Sequence, residues 1–479
     1  MSIAKNYIYN MIYQLASIIL PIITIPYISR VLGSAGVGIN AYTNSIIQYF
    51  VLLGTIGIAL YGNREIAYVR DDKEKLSKTF WGIFYLQLTT TFVSYLIFLV
   101  FWWISAEYHY IFLIQSIYII AAAFDISWLF MGLEDFKKTV MRNLLIKVLG
   151  VICTYAFVNH PEDLWKYIFI LSFSQMLGNI SLWFYLPSTV MKINITKYDI
   201  KKHLIPSISL FIPQIAIQIY VVLNKTMLGS MSNANEVGYF DNADKLVKVF
   251  LSIVTAMGTV MLPRVSNTFA RGNMEKVKEY IYQSFDFASY LSIPLFFGLA
   301  GIASDFAPLF FGAEFAKTGI LIAIISPIVV FIAWSNVIGN QLLLPTGKVR
   351  AFTLSVSFGA ILNFILNLLL IKDFQSVGTA IATVFAELAV TAFQLYLVRH
   401  NLIIKKMIFS TWKYCLSGLV MYIVIRVIGI FMDRGLSGLA VQFVAGVISY
   451  FAFLILLRSQ LNQTLFQAAL KVTRKKLID

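Results

Sequence analysis

The stretch that decides the fold is Pro26–Gln48, PYISRVLGSAGVGINAYTNSIIQ. It closes one apolar run, places Arg30 at that run's far edge, turns through Gly33, Gly36 and Gly38, and opens a second run with Asn40, Thr43, Asn44 and Gln48. At helical spacing those four polar side chains share one face. Lipid satisfies no hydrogen bond, so an apolar helix with such a stripe must turn it toward other helices or a water-filled cavity.

The layout returns about 200 positions later in VLNKTMLGSMSNANEVGYFDNADKLVK, starting at Val221. Leu32-Gly33 matches Leu228-Gly229, Val37-Gly38 matches Val237-Gly238, and Arg64 matches Arg264, each arginine being followed by a basic loop. The second stripe is charged: Asp241, Asp244, Lys245 and Lys248. The chain carries an internal duplication.

Composition fixes the class. Of the 479 residues 59% are hydrophobic and 13% charged, against roughly 25% charged in a soluble domain. Apolar runs long enough to span a bilayer recur along nearly the whole length, so the reading is an all-α polytopic membrane protein of about fourteen transmembrane helices. Transmembrane β-strands would be short and alternating. The net charge of +15 falls into alternate loops, as the positive-inside rule requires, so no nucleic-acid partner is inferred. Lys73, Lys75, Lys78, Lys137, Lys138, Lys197, Lys201, Lys202, Lys276, Lys278 and the basic tail from Lys471 to Lys476 fall in one loop set; Arg30, Lys225, Lys317, Lys372 and Arg434 fall in the other. This places both termini in the cytoplasm and supports an even number of spans. The first six spans map onto the next six in the same orientation, giving parallel six-helix lobes at 1–190 and 191–400, with two extra transmembrane helices and the tail at 401–479. Cys153 and Cys415 sit far apart in apolar runs and make neither a metal site nor a disulfide framework. Four histidines scatter without metal spacing, and no phosphate-binding glycine loop supports ATP drive; neither a cofactor nor a metal is expected.

Four motifs carry a resemblance: PYISRVLGSAGVG, its echo at 228–238, the turn FMGLEDFK (130–137) and the turn LLLPTGKVR (342–350). Their order, spacing and duplication resemble the Wzx-type polysaccharide-transport flippases of the multidrug/oligosaccharidyl-lipid/polysaccharide exporter superfamily, over essentially the whole chain. The resemblance implies two lobes around a central cavity, alternating access, and a transporter rather than an enzyme. Its implied cargo is an undecaprenyl-pyrophosphate-linked oligosaccharide, moved from the inner to the outer leaflet of the cytoplasmic membrane for capsule, exopolysaccharide or O-antigen assembly. Membrane lipids, a polysaccharide polymerase and chain-length machinery are the implied partners. A multidrug or organic-cation antiporter of the same superfamily and a membrane-embedded repeat-unit polymerase are the alternatives.

Such a cargo asks for buried cations for its pyrophosphate and hydrogen-bonding groups for its sugars. Arg30 leads, against the plainer reading of an arginine snorkelling to the interface; Lys225 is its rough counterpart. Arg64 and Arg264 stand at matching span ends, either setting topology or meeting pyrophosphate. Asn40, Asn44 and Gln48 on one stripe, and Asp241, Asp244, Lys245 and Lys248 on the other, form a cavity wall or, in the charged copy, two i,i+4 ion pairs. Asp125, Asp286 and Glu387 are acids inside spans, costly unless used, and are the ion-coupling candidates, with Lys147 and Arg426 as available partners.

Overall fold

The computed structural model describes residues 3–105, 107–432, 434–459 and 461–462; the basic tail expected at the C-terminus lies outside the described residues. Every regular element among these residues is helical, and the chain divides into two compact units, Met1–Gly238 and Tyr239–Asp479.

The first unit opens with α1 (Ile3–Thr55), which is two helices joined at Gly33, where φ is 67° and ψ 178°. Only glycine takes that backbone freely. The turn read through three glycines therefore rests on Gly33 alone; Gly36 and Gly38 are helical. A second break at Ile56 and Gly57 (φ 34° and 75°) separates α2 (Ile58–Val69) from α1, inside what the hydropathy predicted as one span. Asp72 accepts the backbone N–H groups of Glu74 and Lys75 and so starts α3 (Lys73–Ile104). The fourth run is three short helices, α4 (His109–Gln115), α5 (Ile117–Ala123) and α6 (Ser127–Gly132). Then come α7 (Phe136–Phe157), α8 (Leu164–Ser181), α9 (Leu186–Thr189), α10 (Lys197–Lys201) and α11 (Leu204–Met231). Thr196 and Asp199 cap α10 reciprocally.

The aromatic core of this unit joins α3, α6 and the segment after α8. Phe80 stacks on Trp128 with ring centroids 5.5 Å apart, and Phe84 meets Trp183 edge-on at 4.7 Å. On the outside Phe92, Ile97, Val100 and Trp103 are exposed. In water that belt would aggregate; in a bilayer it is the lipid-facing surface.

Helix α12 (Ala234–Ala270) starts at the end of the first unit. It bends by 40° between Ala256 and Met261, about 200 residues after the break at Ile56. The second unit continues with α13 (Met274–Phe311), capped by Asn273, then α14 (Ala316–Ile325) and α15 (Ile328–Ser335). A π-helical stretch, Asn336–Leu343, extends α15. Helix α16 (Val349–Val398) folds back at Gln375 (φ 50°, ψ −127°), so that Gln394 Nε2 donates to Ser355 Oγ at 3.0 Å. The short α17 (Ile404–Ile408) leads to α18 (Thr411–Phe431) and α19 (Leu436–Leu456), which pack with α13 through Tyr290, Tyr414 and Tyr450.

Nine helices among the described residues are long and apolar enough to cross a membrane, or up to eleven when each bent pair is one span. The count differs from the expected fourteen in part because Ile19–Val69 and Val349–Val398 each hold two sequence-predicted spans on either side of a kink.

Candidate functional site

In the first unit the second arm of α1 carries the polar stripe. Asn40, Asn44 and Gln48 recur every fourth residue and are half-buried, while Thr43 is fully buried and spends its hydroxyl on the Ile39 carbonyl. Asn40 Oδ1 accepts from Gln115 Nε2 at 3.0 Å, anchoring the stripe to α4. Ser45 Oγ lies 2.8 Å from Thr226 Oγ1, which donates to the Tyr49 hydroxyl at 3.3 Å, so α11 is sewn to the same arm. At its start the arm meets the start of α12: Ser34 Oγ donates to Asn235 Oδ1 at 2.9 Å. Here the matched glycines touch. A Cβ on Gly38 would run into the Ala234 carbonyl, and one on Gly238 into the Ser34 carbonyl. The two N-termini thus approach backbone to backbone. Gly229, matched to Gly33 by sequence, is not a turn: it is helical in α11, and the Tyr42 ring lies over it. Arg30 is exposed just ahead of the Gly33 break, and Lys225 is half-buried in α11. Arg64 pairs with its neighbour Glu65 at 2.9 Å and lies over the Tyr61 ring.

Asp125 occupies the gap between α5 and α6. Its carboxylate accepts the Ser127 N–H at 2.9 Å and faces Arg142 at 3.7 Å. The sequence offered Lys147 and Arg426 as counter-charges for the buried acids; the cation beside Asp125 is instead Arg142, nearly buried, which also donates to Asn179 Oδ1 (3.1 Å) and Asn143 Oδ1. Four carbonyls at the gap accept from side chains. Gln87 Nε2 donates to the carbonyls of Ala122 (2.6 Å) and Asp125 (3.0 Å), Asn179 Nδ2 to that of Ala121, and Trp183 Nε1 to that of Phe124. Gln87 Oε1 takes the Trp128 indole N–H. Sequence reading singled out Asp125 but missed Gln87, Arg142 and Asn179 as its neighbours; each shares its run with other polar residues, such as Thr89, Asn143 and Gln175, so none stood out.

A second buried cluster joins α2, α10 and the start of α11. The Tyr61 hydroxyl and His203 Nδ1 are 2.6 Å apart. Burial, then the nearby Lys202 charge, hold the His203 pKa down at about 4. Asp199, also buried, is held well below the usual carboxylate range by hydrogen bonds from Thr196, Lys78 and Lys202.

In the second unit the charged stripe resolves into two intrahelical pairs, Asp241 with Lys245 and Asp244 with Lys248, the acids buried and the ammonium groups more exposed. Asp286 accepts from the Tyr414 hydroxyl at 2.9 Å, tying α13 to α18. Farther along α13 is an acid that sequence reading missed: buried Asp305 takes the Gln442 amide at 3.2 Å and lies 3.6 Å from Arg434. Arg426 donates to Ser304 Oγ at 2.7 Å. Glu387 is buried on the returning arm of α16, whose facing arm carries buried Asn363 and Asn367. Arg264 is exposed on α12. Among the described residues no group of three or more His, Cys, Asp or Glu could hold a metal ion.

A family model described as "Polysaccharide biosynthesis protein" matches residues 3–269, and one described as "Lipid II flippase MurJ" matches residues 145–449. The chain is 25% identical over 406 residues to a "Putative O-antigen transporter" of Escherichia coli (strain K12), covering 84% of this chain and 98% of the relative. It is 26% identical over 167 residues, 34% of each chain, to the "Probable low-salt glycan biosynthesis flippase Agl15" of Haloferax volcanii. Among solved structures it is similar to Lipid II flippase MurJ in an inward closed conformation (TM-score 0.74, 15% identity, 96% of this chain and 100% of that one). It is also similar to an inward-facing multidrug resistance MATE family transporter (TM-score 0.62, 12% identity, 81% and 94%). At these identities the structural likeness is one of fold.

Proposed function

The chain belongs to the polysaccharide biosynthesis protein family, and from that premise we propose that it is a Wzx-type flippase. Its cargo is an oligosaccharide repeat unit linked through pyrophosphate to undecaprenol, moved by alternating access from the inner to the outer leaflet of the cytoplasmic membrane. The observation that carries this reading is the near full-length likeness to a protein described as an O-antigen transporter. The multi-pass helical build and the polar groups kept inside it agree with a transporter. Both termini face the cytoplasm in this reading, because the basic loops alternate with sparse ones. The duplicated lobes at 1–190 and 191–400 and the added helices at 401–479 belong to the same proposal.

Arg30, Lys225, Arg64 and Arg264 are assigned to the pyrophosphate, arginine because its planar fork takes two oxygens at once. Asn40, Asn44 and Gln48 with Asp241, Asp244, Lys245 and Lys248 are assigned to the sugars, whose hydroxyls both donate and accept. Asp125, Asp286 and Glu387 are the ion-coupling groups; Asp125 answers Arg142 and a backbone N–H, and Asp286 the Tyr414 hydroxyl. A deletion strain tests the function: lipid-linked repeat units accumulate on the inner leaflet, and a strain that accumulates none overturns the reading.

A further inference from the structure

A groove of about 500 Å³ opens between α7 and α8, lined by none of the residues assigned above. That volume is in the range of small-ligand sites, about 300–1,000 Å³. Its walls are apolar, with rings and branched chains from Ile146 and Phe157 on α7 and from Trp165, Phe169 and Leu177 on α8. At one end stands a single ammonium, Lys166, beside Trp165 and paired with Asp163 at 2.6 Å. At the other end the helices close together, since Ile146 lies where a side chain on Gly178 would be. The slot is therefore blind at one end, carries a cation at the other and opens to lipid along its side, where Leu149, Phe157 and Leu177 are exposed. From Ile146 to Phe157 it runs about 16 Å at 1.5 Å per residue, close to the roughly 15 Å hydrocarbon depth of one leaflet. With the termini in the cytoplasm, the Lys166 end lies at the outer surface.

We propose that this slot holds the head-proximal part of a polyisoprenoid phosphate in the outer leaflet, chain between α7 and α8 and phosphate at Lys166. The proposal rests on the flippase reading and deepens it: the slot is where the cargo's tail rests on delivery. A single slot suits a single-chain lipid; a diacyl phospholipid would leave its second chain outside. The rings of Phe157, Trp165 and Phe169 suit the alkenes and methyl branches of an isoprenoid.

The chain supplies its own reporter and control: Cys153 lines the slot, and Cys415 is exposed on α18. In nanodiscs of phosphatidylethanolamine, undecaprenyl phosphate slows alkylation of Cys153 by a membrane-permeant maleimide roughly ten-fold, as for a slot filled about nine-tenths of the time. Cys415 keeps its rate. The same mole fraction of phosphatidylglycerol gives no protection. Equal protection by phosphatidylglycerol assigns the slot to ordinary lipid and overturns the proposal; so does protection by neither. Ser174→Trp fills the slot and abolishes the difference, with the Cys415 rate reporting the fold. Should it not fold, Lys166→Gln replaces it and raises several-fold the mole fraction of undecaprenyl phosphate needed. The two failures separate: unprotected Cys153 in a protein whose deletion strands lipid-linked units refutes the slot alone, whereas a deletion that strands nothing refutes the function.

Discussion

Gln87 serves three backbone and side-chain groups at once: the carbonyls of Ala122 and Asp125 at the break between α5 and α6, and the Trp128 indole. Gln87→Leu keeps the volume, orphans the Asp125 carbonyl and the Trp128 indole, and leaves the Ala122 carbonyl with only the Asp125 N–H at 3.3 Å, so it costs about 2–4 kcal/mol, since a buried polar group without a partner costs about 1–3 kcal/mol. Thermal unfolding in detergent shows the loss, and an unchanged midpoint removes Gln87 from its structural role. His203 predicts a pH effect. Its folded pKa, about 4 against the ordinary 6.5, is depressed, so its contribution to stability is complete above pH 6.5 and falls as the pH drops toward 4. His203→Gln flattens that acid limb, by on the order of 2–3 kcal/mol at its foot; a limb of unchanged slope assigns it to other groups. Little of this was legible in the sequence. Asp125 stands out because a carboxylate in an apolar run is conspicuous, but its partners come from separate runs and only the packing of α3, α7 and α8 joins them. Asp305 fell at the edge of an apolar run and passed for a loop residue, although α13 continues to Phe311.

Helices survive several breaks in this chain, and the breaks differ in kind. Gly33 supplies a backbone angle that other residues resist. Gln375 takes a positive φ without that freedom where α16 folds back, so Gln375→Gly relieves the strain and raises stability by about 1 kcal/mol at most. A lower unfolding midpoint for that variant means that contacts of the Gln375 side chain outweigh the strain. Gly38 marks a close approach instead. Gly38→Ala pushes a methyl into the Ala234 carbonyl and costs roughly 1–3 kcal/mol, as overpacking does; an unfolding midpoint equal to that of the unaltered chain refutes the contact. The sequence marked all of these glycines as punctuation, and that is where its reading strayed. A glycine that turns the chain and a glycine that admits a neighbour look alike until the neighbour is known. The stripe positions were legible because Asn40, Asn44 and Gln48 needed only the helical period.

For the molecule as a whole, loop charge and the repeated segments were the most readable features, since neither depends on packing. A reporter enzyme active only outside the cytoplasm is silent when fused after Lys202 and active when fused after Ser232; the reverse result inverts the topology. Arg30→Ala lowers polymer yield while membrane insertion holds, and normal yield takes Arg30 out of the cargo path. Helices 19–69 and 349–398 each carry two sequence-predicted spans across a kink, so a count by helix falls below a count by span. The contact between Gly38 and Gly238 has a historical consequence. In the proposed duplication these two glycines are matched positions that meet backbone to backbone, and neither is free to drift: a side chain gained at one collides with the main chain beside the other.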